Sequence, residues 1–198
     1  MHDVTAFVLA GGKSTRMGAD KAFLQWGNET LLNHALRLAG AVANAVRIVG
    51  DATKFGGLAF AVVEDVYRNR GPLGGIHAAL SSTPSELNLM LAVDLPLMKR
   101  EFLAYLIAEA RKSEAMVTVP NAGGGLQPLC AVYRREFADT TEESLRAGKN
   151  KIDPLFAKVS TRVIEEEELL RAGFSAEIFR NLNTPEDVEQ AREKLLTP

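Results

Sequence analysis

A chain of 198 residues that is 46% hydrophobic and 24% charged can bury one substantial core but not two independent ones. Its 23 Lys plus Arg against 25 Asp plus Glu leave a net charge of −2. That balance excludes a whole-molecule field for holding DNA or an anionic membrane, so any phosphate recognition has to be local.

Strand-like runs lie at Val4–Leu9, Ala45–Val49, Phe60–Val63, Leu87–Val93, Met116–Val119 and Leu129–Tyr133, with a weaker one at Thr161–Ile164. Several are continuously apolar rather than alternating, the pattern of strands covered on both faces in a largely parallel sheet. Helical periodicity fills the gaps. Thr30–Ala43 sets Leu31, Leu32, Ala35, Leu38 and Ala39 on one face, and Lys99–Lys112 does the same with Phe102, Leu103, Leu106 and Ala110. A last helix, Thr184–Leu196, opens on Thr184-Pro185-Glu186-Asp187, which supplies an N-cap, a first-turn proline and first-turn acids. The acidic run Glu165–Glu168 reads as the solvated start of a short helix.

Strands alternating with helices, without a Pro- or Ser-rich linker, predict one doubly wound α/β domain over 1–198, with a mostly parallel sheet and helices on both faces. No run reaches the ~18 apolar residues that span a bilayer, and MHDVTAFVLAGG lacks the basic start and long apolar stretch of a secretory signal. The expected setting is cytoplasmic, with neither nucleic acid nor membrane as partner. Cys130, inside LCAVY, reads as a buried small apolar side chain. His2, His34 and His77 show no metal-ligand spacing and no nucleophilic triad.

Ligands of open α/β sheets sit beyond the carboxyl ends of the strands, so polar residues just past each strand are the candidates. The first strand runs into LAGGKSTRMGADK. This loop carries neither G-x-x-x-x-G-K-[ST] nor G-x-G-x-x-G, which excludes a Walker-type or dinucleotide-type cradle. Its glycines still let backbone N–H groups turn towards an anion, Arg16 can fork two phosphate oxygens, and Lys21 offers a movable point charge.

Asp94 ends the run LNLMLAV and precedes Leu95-Pro96. A carboxylate at a buried strand end needs compensation: either a hard cation such as Mg²⁺, which takes one or two carboxylates plus phosphates and waters, or service as a cap for the following turn. Asp65 closes FAVVED ahead of RNRGPLGG, where Gly74 and Gly75 permit close approach of a ligand or tight helix–sheet packing. The set suggests phosphoryl chemistry run by positioning and charge neutralisation.

LAGGKSTRMGADKAFL resembles the signature of the molybdenum cofactor guanylyltransferases, a branch of the sugar-nucleotide-type nucleotidyltransferases with a Rossmann-like fold. The resemblance continues in order through VVED, GPLGGIHAAL, VDLPLM, QPLCAVYRRE and NLNTPEDV. It implies a Mg²⁺-dependent transfer of GMP from GTP to the terminal phosphate of the molybdenum-pterin cofactor, with release of pyrophosphate. It further implies that Leu9, Ala10 and Gly11 read the guanine, with Gly12 beside them. Lys21 contacts the nucleotide, Asp65 lies in the nucleoside site, Asp94 binds Mg²⁺, and Arg16 meets the triphosphate.

Asn181 and Asn183 fall where the family's closing motif approaches the pterin side or the metal. Proteins that deliver or accept the cofactor are implied as partners. Gly50-Asp51 departs from the pattern, where the resemblance leads one to expect an asparagine. Lys149 and Lys151 read either as holders of the acceptor's phosphate or as a solvated helix end. The rival readings are a cytidylyltransferase on the same cofactor, another small nucleotidyltransferase, and a non-catalytic GTP- or cofactor-binding module.

Overall fold

A computed structural model describes residues 4–11, 20–67 and 69–181. In chain order its elements are β1 (Val4–Leu9), a 3-10 turn (Lys21–Phe23), β2 (Gln25–Trp26), β3 (Glu29–Thr30), α1 (Leu31–Gly40), β4 (Ala45–Val49), α2 (Ala52–Phe55) and β5 (Ala61–Val63). There follow α3 (Pro72–Ser81), β6 (Leu87–Ala92), α4 (Arg100–Lys112), β7 (Val117–Ala122), β8 (Gly125–Leu126), β9 (Cys130–Arg134), α5 (Phe137–Arg146), α6 (Asp153–Phe156), β10 (Thr161–Ile164), α7 (Glu166–Arg171) and a second 3-10 turn (Ala176–Phe179). The expected helix Thr184–Leu196 lies outside the described residues.

The main sheet runs β10-β7-β9-β6-β1-β4-β5. β1 lies parallel to both neighbours, with Leu9 opposite Val49 on one side and Ala92 on the other. β9 is antiparallel to β6 and β7, the one reversed strand on this path. Continuous apolar runs in β1 and β6 make sense here, because both faces of the sheet are covered. Ala6, Val8, Leu89 and Leu91 pack with α1 and α4, while Phe7 and Met90 face the opposite layer with Leu73, Ile76 and Leu80 of α3 and Phe137 of α5. The doubly wound expectation therefore describes the molecule.

Thr30 caps α1 through Asn33 N at 3.2 Å. The helix stops at Gly40, short of the expected Ala43, because Asn44 is already committed to β1. Its N–H donates to Val4 O at 2.9 Å, and its Oδ1 accepts from Val4 N at 3.0 Å. From β1 the chain passes through α1 to β4 and β5, then crosses by α3 to β6 on β1's other side. This reversal of direction opens a crevice at the carboxyl end of β1.

Candidate active site

The strand ends that form the floor of this crevice are tied to one another. Ala10 N donates to Val49 O at 3.0 Å, Gly50 N to Val63 O at 3.0 Å and Val93 N to Leu9 O at 3.2 Å. Among the described residues, none of the bonds between these loops engages the Ala10 carbonyl or the N–H and carbonyl of Gly11. Gly11 is exposed, and among the described residues a Cβ there would meet Val49 O and Gly50 Cα at 3.7 and 3.8 Å, ordinary contacts. The described residues do not require glycine at this position.

Lys21 opens a 3-10 turn whose geometry is fixed from below. Asp20 caps the turn by accepting from Ala22 N at 3.2 Å, its other oxygen pairs with Lys54 Nζ at 2.8 Å, and Ala22 is fully buried. So held, Lys21 Nζ stands 3.5 Å from Asp94 Oδ2, with the two side chains 21% and 24% exposed. Asp94 follows β6 between Val93 and Leu95, both buried. It does not cap the next helix, because α4 has Lys99 at its N-cap. A partly exposed ion pair of this kind is worth about 0–1 kcal/mol. Each partner can therefore exchange the other for a ligand at small cost.

Asp65 stands past the end of β5, its carboxylate in a cradle. Oδ1 accepts from Tyr67 N at 2.8 Å, and a Cβ at Gly74, in the first turn of α3, would overlap the carboxylate. Burial pushes the Asp65 carboxyl above its ordinary pKa, opposed by the Tyr67 N–H and by His77. Gly75 serves a different end, since a Cβ there would stand 3.3 Å from Val49 Cγ1. Of the two readings that the sequence left open, Gly75 fits helix–sheet packing, whereas Gly74 makes room for the chain's own Asp65 carboxylate. Asp65 and Asp94 follow strands three ladder steps apart, roughly 14 Å across, a span that a nucleoside triphosphate bridges.

Asp51 caps α2 by accepting from Thr53 N at 2.8 Å and Thr53 Oγ1 at 2.6 Å. A Cβ at Gly50 would stand 2.7 Å from Phe55. The departure at these two positions is thereby explained locally, since both residues build α2. Asn181 is described and exposed, and no contact ties it to Lys21 or Asp94. Gly12, Lys13, Arg16, Arg68 and Asn183 lie outside the described residues. Lys149 and Lys151 border a separate shallow pocket with Lys158, Pro154 and Leu155. Cys130 is buried, and burial pushes its thiol pKa far up, which leaves it inert.

Among the described residues no group of three or more His, Cys, Asp or Glu could hold a metal by protein ligands alone. A lone carboxylate at a strand end fits Mg²⁺, which keeps its other positions for phosphate and water. No described helix is long and apolar enough to cross a membrane. Sequence reasoning singled out Lys21, Asp65 and Asp94 but missed the supports: Lys54 behind Asp20, and Tyr67 behind Asp65. The Asx-turn spacing Asp65-x-Tyr67 was the available signal for the second. The first pairs residues 34 positions apart and has no local signature.

Residues 6–163 match the model of the MobA-like NTP transferase domain. A probable molybdenum cofactor guanylyltransferase from Pelotomaculum thermopropionicum is 36% identical over 97% of this chain and 93% of its own length. A molybdenum cofactor guanylyltransferase from Syntrophotalea carbinolica is 33% identical over 95% and 90%. Among solved structures, molybdopterin-guanine dinucleotide biosynthesis protein A from Archaeoglobus fulgidus superposes with a TM-score of 0.85 at 26% identity, covering 98% of this chain and all of that one.

Proposed function

Because the chain belongs to the MobA-like NTP transferases, in the molybdenum cofactor guanylyltransferase family, we propose that it transfers GMP from GTP to the terminal phosphate of the molybdenum-pterin cofactor and releases pyrophosphate. The observation that carries the reading is the Lys21–Asp94 pair, 3.5 Å apart at the mouth of the β1/β6 crevice. It offers one cation for a triphosphate and one carboxylate for a metal.

In this reading the Ala10 carbonyl and Gly11 N–H meet the donor and acceptor edge of guanine, and Asp65 accepts from the nucleoside. An oxygen of the acceptor phosphate attacks the α-phosphorus, the bond from that phosphorus to the bridging oxygen of pyrophosphate breaks, and the electron pair leaves with the pyrophosphate. Lys21 swings from Asp94 to the phosphates and neutralises charge there. Asp94 would hold Mg²⁺, which when bound supplies charge neutralisation across the phosphates. The family resemblance adds Gly12 and Arg16 to the triphosphate clamp, and Asn181 and Asn183 to the closing motif.

The test is incubation with GTP, Mg²⁺ and the molybdenum-pterin cofactor, with mass analysis of the cofactor and assay of pyrophosphate. A cofactor heavier by GMP and one pyrophosphate per transfer are expected. Turnover with CTP but not GTP would replace guanylyl by cytidylyl transfer, and GTP binding without turnover would leave a non-catalytic binding module.

A further inference from the structure

The segment joining β5 to α3 carries Asp65 and turns Val66 outward and Tyr67 inward against the core. Val66 is 74% exposed, and the backbone bends through Asn69 at φ 62° and Gly71 at φ 67°. On the strand side it is tied by Glu64, whose Oε1 accepts from Ala52 N at 3.2 Å. On the helix side the anchor is Tyr67, which packs against the core and whose hydroxyl lies between Glu142 and Arg146 of α5. Its N–H donates to Asp65 Oδ1 at 2.8 Å. Its ring stands edge-on to that of buried His77, centroids 5.1 Å apart and planes at 78°. Its hydroxyl donates to Glu142 Oε1 at 3.2 Å, the oxygen that also accepts from Arg146 at 2.7 Å.

The direction of the Tyr67 N–H therefore depends on α5, an element remote in sequence and otherwise uninvolved in the site. Asp65 needs that N–H, because Gly74 leaves space beside the carboxylate but no side chain to orient it. With the latch open, the carboxylate is free to turn in its cradle, and an acceptor that turns loses affinity for the group it should meet.

We infer that Tyr67 is a positioning residue for nucleoside binding: latched to Glu142 of α5, it presents its backbone N–H to Asp65 and fixes that carboxylate towards the nucleotide. The inference rests on the proposed role of Asp65 as the nucleoside contact.

The test compares Tyr67→Phe, Glu142→Ala, Glu142→Gln and Asp65→Asn by calorimetric titration with GTP and by steady-state turnover. Tyr67→Phe keeps the ring against His77 and the backbone N–H and loses only the latch. It and Glu142→Ala are each expected to raise the dissociation constant and KM for GTP about 3–10-fold, the range for one lost hydrogen bond, with kcat changed by less than about twofold. Glu142→Gln keeps the accepting oxygen and stays close to the parent protein, which a loss of the Glu142 charge alone would not predict. Combining Tyr67→Phe with Glu142→Ala adds nothing to either single change.

Tyr67→Phe indistinguishable from the parent, beside an Asp65→Asn that weakens GTP, overturns the positioning role and leaves Asp65 in place. A fall in kcat with KM unchanged overturns it as well. Asp65→Asn without effect on GTP removes the premise and the inference together.

Discussion

Lys21 and Asp94 neutralise each other before any ligand arrives, so each has to be released before it can meet a phosphate or a cation. Because the pair is partly exposed and worth about 0–1 kcal/mol, its loss should barely register in thermal unfolding, and the substitutions separate into distinct functional effects. Asp94→Ala is expected to abolish pyrophosphate release while leaving GTP binding measurable. In EDTA it should bind GTP at least as tightly as the parent, since Asp94 no longer competes with the phosphates for Lys21. Lys21→Ala should weaken GTP about 10–100-fold, the range for one charge-assisted hydrogen bond. Titration calorimetry with and without Mg²⁺, together with a pyrophosphate assay, checks all three outcomes. Unchanged turnover in Asp94→Ala would remove that residue from the mechanism, and unchanged affinity in Lys21→Ala would remove the cation from the clamp.

Among the elements, α3 shows most directly how site and fold share one stretch of chain. Gly74 lies in its first turn, facing the Asp65 carboxylate. Alanine is the better helix former by about 1 kcal/mol, yet its methyl group would displace the carboxylate. Gly74→Ala should therefore weaken GTP as much as Asp65→Asn does, while the melting free energy moves by less than about 1 kcal/mol. Equal GTP affinity in Gly74→Ala and the parent would show that the cradle is not needed.

What the sequence revealed at this scale follows the same division. β1, β4 and β6 were legible because strands covered on both faces must be apolar throughout, and α1 and α4 because a one-sided contact imposes helical spacing. α5 was not legible. Its buried positions include Thr141 and Ser144, whose hydroxyls are satisfied by Ala138 O at 2.6 Å and Lys149 O at 3.0 Å, so FADTTEESLR shows no apolar stripe. The reversal of β9 was equally hidden, since an apolar run has no direction. Asp65 and Asp94 were singled out because polar residues just past buried strands need an explanation, and Lys21 as a cation in the loop after β1, whereas Glu142 and Lys54 make contacts distant in sequence.

Across the whole molecule the two ends of the sheet are treated differently. At the carboxyl ends of the parallel strands, the Lys21–Asp94 pair and Asp65 face the crevice, each partly exposed. At the opposite end, polar side chains are spent on closing loops. Thr5 Oγ1 meets Ser85 Oγ at 2.8 Å, Arg47 donates to Ser82 O at 2.6 Å, and Asn88 Nδ2 donates to Ser85 O at 3.0 Å. Arg134, at the end of β9, does most. It pairs with Glu86 and donates to Ala115 O at 3.1 Å and Ser113 O at 2.8 Å, with its side chain only 14% exposed. This guanidinium joins the loop before β6 to the loop before β7, on the far side of the sheet from Lys21 and Asp94.

The bonds that Arg134 makes tie loops remote from Lys21 and Asp94. Arg134→Ala should therefore cost about 2–4 kcal/mol of unfolding free energy through the carbonyls it leaves unpaired, measured by urea titration. The affinity for GTP in the folded fraction should stay within about twofold of the parent, because sites so far apart with no shared partner behave additively. A GTP affinity that fell along with stability would mean that the loops closed by Arg134 set the strand-end geometry, and that the two ends of the sheet are mechanically coupled.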